Sequence, residues 1–297
     1  MRKVLQATVF SICATPFFSN CGHPVQDRFH FPFLAGEGFR SKAEIAVYQG
    51  TLAYRGQTRP AEVIFITSLE SMDGLKRRKS PENHPDSIPV VRQTQLYRLQ
   101  TGAIFATSIF WRQKDGALMR VAGSSQEWSG TSSRTFLPQG GLDRIFYHSP
   151  NEGDGELVLA RPEVASVDRA VLLDELPLIA RSPQVEHFRN LQIFPILVSA
   201  NLPGVEGDHK HRAQGARYEP GTLSPERSEI PILGTMRKSL KVSVRFGDKS
   251  TVREYLVEDN SNRTLLAWNS SDGTSFVLKR HDFVDIARVE NGDVVLP

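Results

Sequence analysis

Cysteine is nearly absent from this chain. It has two, Cys13 and Cys21, and Cys13 falls inside the mostly apolar run of residues 4–18 that follows the basic pair Arg2-Lys3. That pattern reads as an export signal, so the mature chain is expected to hold Cys21 alone. A disulfide within the mature chain is thereby excluded, and stability must come from the core. If Cys21 is acylated no thiol remains, which removes a cysteine nucleophile and a thiolate zinc site. Long apolar runs are lacking too: residues 4–18 contain Gln6 and Pro16 and fall short of the roughly 20 residues a membrane-spanning helix needs.

Charge of one sign is equally scarce. The net charge is +3, and no long basic block occurs, so nucleic acid is not an implied partner. The local cluster Lys76-Arg77-Arg78-Lys79 lies in a polar, proline-containing stretch running to Pro89 and reads as a solvated loop. Catalytic signatures are missing: there is no Gly-x-Ser-x-Gly elbow, no His-Glu-x-x-His and no phosphate-binding glycine loop. Gly36-Glu37-Gly38 lacks the third glycine of a dinucleotide site. No cofactor is implied.

What is present begins with the signal's end. Phe18-Ser19-Asn20-Cys21 resembles the lipobox of bacterial lipoproteins, with Phe18 where Leu is usual and Asn20 where Gly or Ala is usual. The resemblance implies cleavage before Cys21, diacylation of that residue and attachment to a membrane through N-terminal acyl chains. Gly22, where inner-membrane lipoproteins of diderm bacteria often carry Asp, implies the outer membrane as destination. The expected organisation is a signal peptide over 1–20, a tether over 21–42 and a single β-rich domain over 43–297.

Hydrophobic residues make up 39% of the chain and charged ones 23%, enough apolar side chain for a buried core. The dominant pattern is alternation of period two. Leu240, Val242, Val244 and Phe246, separated by Lys241, Ser243 and Arg245, place four apolar side chains on one sheet face. Turn signals at 247–249, 259–262 and 271–273 divide the C-terminal part into a meander. In the first half, 44–54, 61–69, 91–99, 103–113, 117–124, 127–136, 142–148 and 156–161 are predicted strands, with tight turns at 100–102 and 114–116. Residues 167–180 carry helical spacing that Pro177 would kink or break. Residues 191–199 read as a buried strand, and 200–231, rich in proline and glycine, as a long exposed loop. The expected fold is mainly β: an antiparallel meander sandwich, or an open or half barrel, with a short helical cap.

Candidate functional residues are few. Asp208, His209 and His211 lie within four residues, a spacing that could place two imidazoles on one side of a strand, though a polar loop explains them as well. Glu152, Asp154 and Glu156 lack the regular ligand spacing of a calcium loop. The segment 123–130, Gly-Ser-Ser-Gln-Glu-Trp-Ser-Gly, combines hydroxyls, a carboxylate and an indole, a composition suited to a polar site beside an aromatic wall. Its plainer reading puts Trp128 in the core and makes Glu127 an exposed partner of an arginine.

The same segment resembles the Ser-Ser-x-Glu-Trp motif of an uncharacterised family of exported bacterial proteins. Leu265-Leu266-Ala267-Trp268 and Asp272-Gly273 fit that family's C-terminal hairpin, and Ser129 stands where the family often has Cys. The resemblance implies a shared fold and carries no activity with it. The expected role is a binding or envelope-assembly module for an apolar ligand or an envelope protein, with Trp111, Glu127, Trp128 and Trp268 as ligand contacts. The alternatives are an envelope hydrolase using Glu127 or the Asp208, His209, His211 cluster, and a purely structural envelope component.

Overall fold

The computed structural model describes residues 31, 34, 39, 41–139, 141–150, 153–162, 169–195, 217–232, 234–247 and 251–290. The signal, Cys21 and the Asp208, His209, His211 cluster lie outside these residues. Eight strands form the first half: β1 (Lys42–Tyr54), β2 (Gln57–Asp73), β3 (Ser87–Leu99), β4 (Ile104–Arg112), β5 (Leu118–Glu127), β6 (Gly130–Gln139), β7 (Leu142–Ser149) and β8 (Gly153–Ala160). The second half holds β9 (Arg169–Leu172), β10 (Asn190–Phe194), β11 (Glu219–Ile232), β12 (Thr235–Phe246), β13 (Thr251–Glu258), β14 (Leu265–Ser270) and β15 (Ser275–Asp285).

All 15 strands belong to one sheet, in the order β8 to β1, then β15 down to β9. Neighbours pair antiparallel except β9 with β10. The sheet is therefore two meanders running outward from a central seam where β1 meets β15. Close approach at that seam requires Gly50, since a Cβ there would lie 1.8 Å from the Ser275 carbonyl oxygen. Register shifts at Val47/Tyr48, Phe110/Trp111 and Leu256/Val257 add local twist and help the sheet curl.

Alternation sorts side chains as expected. Leu240, Val242, Val244 and Phe246 are buried, and β4 turns Phe105, Thr107, Ile109 and Trp111 inward. On the concave face Trp268 stacks between Phe65 at 5.3 Å and Phe276 at 4.8 Å, with Tyr48 edge-on at 4.8 Å. Phe31, Leu34 and Phe39, from the segment expected as a tether, are also buried in this core. On the convex face a small cluster of Ile45, Val47 and Ile64 packs against Val289 of a short helix, α2 (Ile286–Glu290).

The expected helix over 167–180 is replaced by β9, a 3₁₀ turn (Leu173–Glu175) and a single turn of α-helix, α1 (Leu176–Ile179). Pro177 does not kink it, because it sits in the first turn, where its missing N–H has no partner to lose. The apolar spacing reflects insertion into the interior of the curled sheet: Leu172, Leu176, Leu178, Ile179 and Val185 are all at most 1% exposed. The segment is held from several sides. Trp111 Nε1 donates to Glu175 Oε1 at 2.8 Å, and Gln95 Nε2 to the Asp174 carbonyl at 2.8 Å. Arg181 donates to both carboxylate oxygens of Glu44, at 2.7 and 2.9 Å. The wings also meet directly, where Asp143 of β7 takes Arg161 at 2.8 Å and the Tyr218 hydroxyl, just before β11, at 2.5 Å.

Several boundaries differ from expectation: β2 is longer than the predicted 61–69, β5 runs past 124 to Glu127, and β6 begins at Gly130 instead of 127. The strand predicted over 191–199 is Asn190–Phe194, and the second part of the predicted loop 200–231 is the strand β11. Pro225 and Pro231 are tolerated because β10 pairs only with Glu219 to Thr222, leaving the remainder of that side of β11 without a ladder among the described residues, and Pro220 lies ahead of the β12 ladder, which begins at Gly221.

Burial alone would raise the pKa of Glu44, but the Arg181 charge, with hydrogen bonds from His281 and Arg181, pulls it from 4.5 to about 2. The folded value lies below the unfolded one, so this contribution is complete above pH 4.5 and is lost as pH falls towards 2. The shift corresponds to about 3 kcal/mol. Acid unfolding of wild type and Glu44→Gln, followed by circular dichroism, should converge across that window; parallel curves would contradict the role given to the carboxylate.

Candidate functional site

Because meander strands alternate in direction, the β1–β2, β3–β4 and β5–β6 turns come together at one end of the sheet. The inserted helical segment contacts the opposite ends of β1 and β4, at Glu44 and Trp111. Between the three turns lies an open pocket of about 530 Å³, bordered by Tyr54, Arg55, Gln57, Arg59, Thr101, Gly102, Ala103, Gln126, Glu127 and Trp128.

The β1–β2 turn is the two-residue Arg55-Gly56, both with positive φ, at 50° and 71°. This geometry matches the twist of a hairpin, but Arg at its first position carries a strain of about 1 kcal/mol. The strained residue is the one that reaches the site. Arg55 Nη2 donates to Glu127 Oε2 at 2.6 Å, with the Arg55 side chain 50% exposed and that of Glu127 only 1%. The Arg55 guanidinium also lies 5.2 Å from the centre of the Tyr54 ring, which packs on Phe105 at 5.5 Å. Burial, and next the Glu127 carboxylate that accepts its hydrogen bond, push the Tyr54 phenol up to about 12.

Glu127 is inward because it continues the buried series Val121, Gly123, Ser125 on one face of β5. Trp128 is the next residue, at the turn, and is 92% exposed. This reverses the plainer sequence reading: the carboxylate is buried and the indole is in solvent. Leaving an indole in water forgoes a burial term on the order of 2 kcal/mol, and nothing in the packing demands a large side chain there. Arg59 is exposed and makes no ion pair among the described residues, so the pocket's two arginines and one glutamate leave it with one positive charge in excess.

The other two predicted ligand contacts lie elsewhere. Trp111 is fully buried, its indole N–H taken by Glu175, and Trp268 is 3% exposed within the aromatic stack. Neither reaches the pocket, because both point to the concave core face of their strands. Glu127 and Trp128 are joined instead by Tyr54, Arg55, Gln57 and Arg59, which sequence reasoning did not single out. An Arg-Gly turn signal marks the hairpin, but nothing local links residue 55 to residue 127. Among the described residues no group of three or more His, Cys, Asp or Glu could hold a metal. His148 pairs with Asp154, and Arg144 with Glu156 at 2.8 Å.

Removing the Glu127 charge should lower the Tyr54 pKa from about 12 towards the ordinary 10. Titration of labelled tyrosine by NMR in Glu127→Gln checks this, and an unmoved Tyr54 would contradict the contact.

The chain matches no protein-family model and no curated protein. Its structure is similar to the crystal structure of a β-barrel-like protein of a domain of unknown function from Brucella abortus, with a TM-score of 0.47 and 11% identity, covering 83% of this chain and all of that one.

Proposed function

We propose that this chain is an exported, lipid-anchored envelope protein that binds its ligand in the pocket between the β1–β2, β3–β4 and β5–β6 turns. The observation that carries the binding role is Trp128: an indole 92% exposed at a tight turn, beside a carboxylate whose 2.6 Å ion pair with Arg55 holds the neighbouring backbone in place. A large flat apolar face kept in water on a rigid strand end favours a bound partner over a packing role. An apolar ligand inside the sheet is disfavoured, since the Trp268 stack and the inserted segment fill the interior. Anchoring rests on the lipobox-like Phe18-Ser19-Asn20-Cys21 and places the pocket in the envelope, facing the periplasm or the surface.

Mass analysis of the chain purified from envelope fractions should give a mature N-terminus at Cys21 carrying acyl groups; an unmodified Cys21 would contradict the anchor. Native mass spectrometry of the same material should show a retained small molecule that Trp128→Ala loses. Equal retention by the variant would remove the pocket from the reading.

A further inference from the structure

Which ligand class the pocket suits follows from its lining. Its apolar lining comes from Trp128, Ala103 and the Tyr54 ring; the rest is amide and hydroxyl from Gln57, Gln126 and Thr101, the Arg55–Glu127 ion pair and the Arg59 guanidinium. An acyl chain needs an apolar channel, and the concave face below is occupied by Tyr97, Phe276 and Trp268, with Tyr97 and Phe276 only 6.2 Å apart. A pyranose ring has the converse shape. One face presents C–H bonds whose slight positive charge packs on the negative face of an indole, and its edge carries adjacent hydroxyls. Planar amide and guanidinium groups can bind two such hydroxyls at once, as donor and acceptor for the amides and as paired donors for arginine.

Charge narrows the class. Glu127 neutralises Arg55 at 2.6 Å, whereas Arg59 has no ion-pair partner among the described residues, and its fork of donors matches a carboxylate bidentately. We infer that the pocket binds a glycan carrying acidic sugars, with one ring on Trp128 and a sugar carboxylate on Arg59. This rests on the reading of the pocket as the ligand site. The open form of the pocket, set between three surface turns, suits a segment within a chain of sugars, which must enter and leave the site on both sides.

The test uses the full mature chain and three probes: a uronic-acid tetramer, an N-acetylglucosamine tetramer of equal length, and dodecanoate. Trp128 is the exposed one of three tryptophans, so its emission reports occupancy, and calorimetry supplies affinities for the variants. The acidic tetramer should shift the emission and bind more tightly than the neutral one. Trp128→Ala should weaken both by about tenfold. Arg59→Gln should reduce the acidic tetramer to the affinity of the neutral one and leave the latter unchanged. Both side chains are exposed, so unchanged thermal midpoints will confirm that the variants are folded.

Failure of both tetramers to bind overturns the glycan inference. In that case dodecanoate binding that depends on Trp128 leaves the pocket standing with another ligand class, while no Trp128-dependent binding of any probe counts against the pocket itself. Acidic tetramer binding indifferent to both substitutions also overturns the inference, because the sugar would then sit elsewhere.

Discussion

The ion pair between Arg181 and Glu44 is the constraint around which the structure is arranged. Both side chains are at most 5% exposed, and an uncompensated charge in such a place costs several kcal/mol. Compensation comes from three elements. Glu44 on β1 takes both Arg181 donors and His281 Nε2 of β15 at 2.8 Å, and Arg181 Nε donates to the Arg263 carbonyl in the β13–β14 turn at 2.8 Å. Arg263 returns the contact, its own Nε reaching the Arg181 carbonyl at 2.7 Å, and does so from a left-handed backbone with φ of 46°. A pair of this kind adds little net stability over a well-packed apolar pair of the same volume. Its contribution is geometric: the carboxylate and the guanidinium are both satisfied in one placement of the inserted segment, and that placement fixes the segment against the central seam and the second wing together.

From that placement the rest follows. An open sheet of 15 strands has a concave face too large for its own side chains to fill, and the inserted residues 173–188 supply the missing apolar volume. Burial of Leu176, Leu178, Ile179 and Val185 does for this chain what a second sheet does in a sandwich. It does so with no cysteine among the described residues. With the interior occupied, open space remains at the end of the sheet where the strand directions gather three turns and where Arg55 accepts backbone strain to hold Glu127. Three arginines, Arg55, Arg77 and Arg263, have left-handed backbone; at Arg55 and Arg263 the strained residue carries a guanidinium to a buried acceptor, Glu127 and the Arg181 carbonyl.

Much of the fold was legible because burial on one face leaves a period-two trace. That trace is clear in β12 and in the turns at 100–102 and 114–116, and it leads directly to a mainly antiparallel sheet with a short helical element. It failed where residues are buried on all sides. The apolar spacing of 167–180 looks helical, yet it belongs to a strand, a 3₁₀ turn and one helical turn surrounded by protein. In β11 it is hidden by Pro220, Pro225 and Pro231, which read as loop; Pro220 lies ahead of the β12 ladder, and Pro225 and Pro231 lie beyond the stretch that β10 pairs. At the site, the predicted strand ends at 124 and Glu127 opens the next one, so the buried series Val121, Gly123, Ser125 is not carried on to Glu127; in the structure β5 runs to Glu127, which turns the carboxylate inward and the following indole outward. The ion pairs of Arg55 with Glu127 and of Arg181 with Glu44 join residues 72 and 137 positions apart, and only the curl of the sheet brings them together.

The account stands on the inserted segment being an integral part of the core, locked by Arg181. Native-state hydrogen exchange tests this directly. The amides of Ala180, Arg181 and Ser182, bonded to Leu176, Leu178 and Ile179 at 2.9 to 3.0 Å, should exchange only through global opening in wild type, at the rate of β1 amides. In Arg181→Met they should exchange faster, together with the seam. Rapid exchange of these amides in wild type, while β1 stays protected, would show a segment that opens independently of the sheet and would contradict the account.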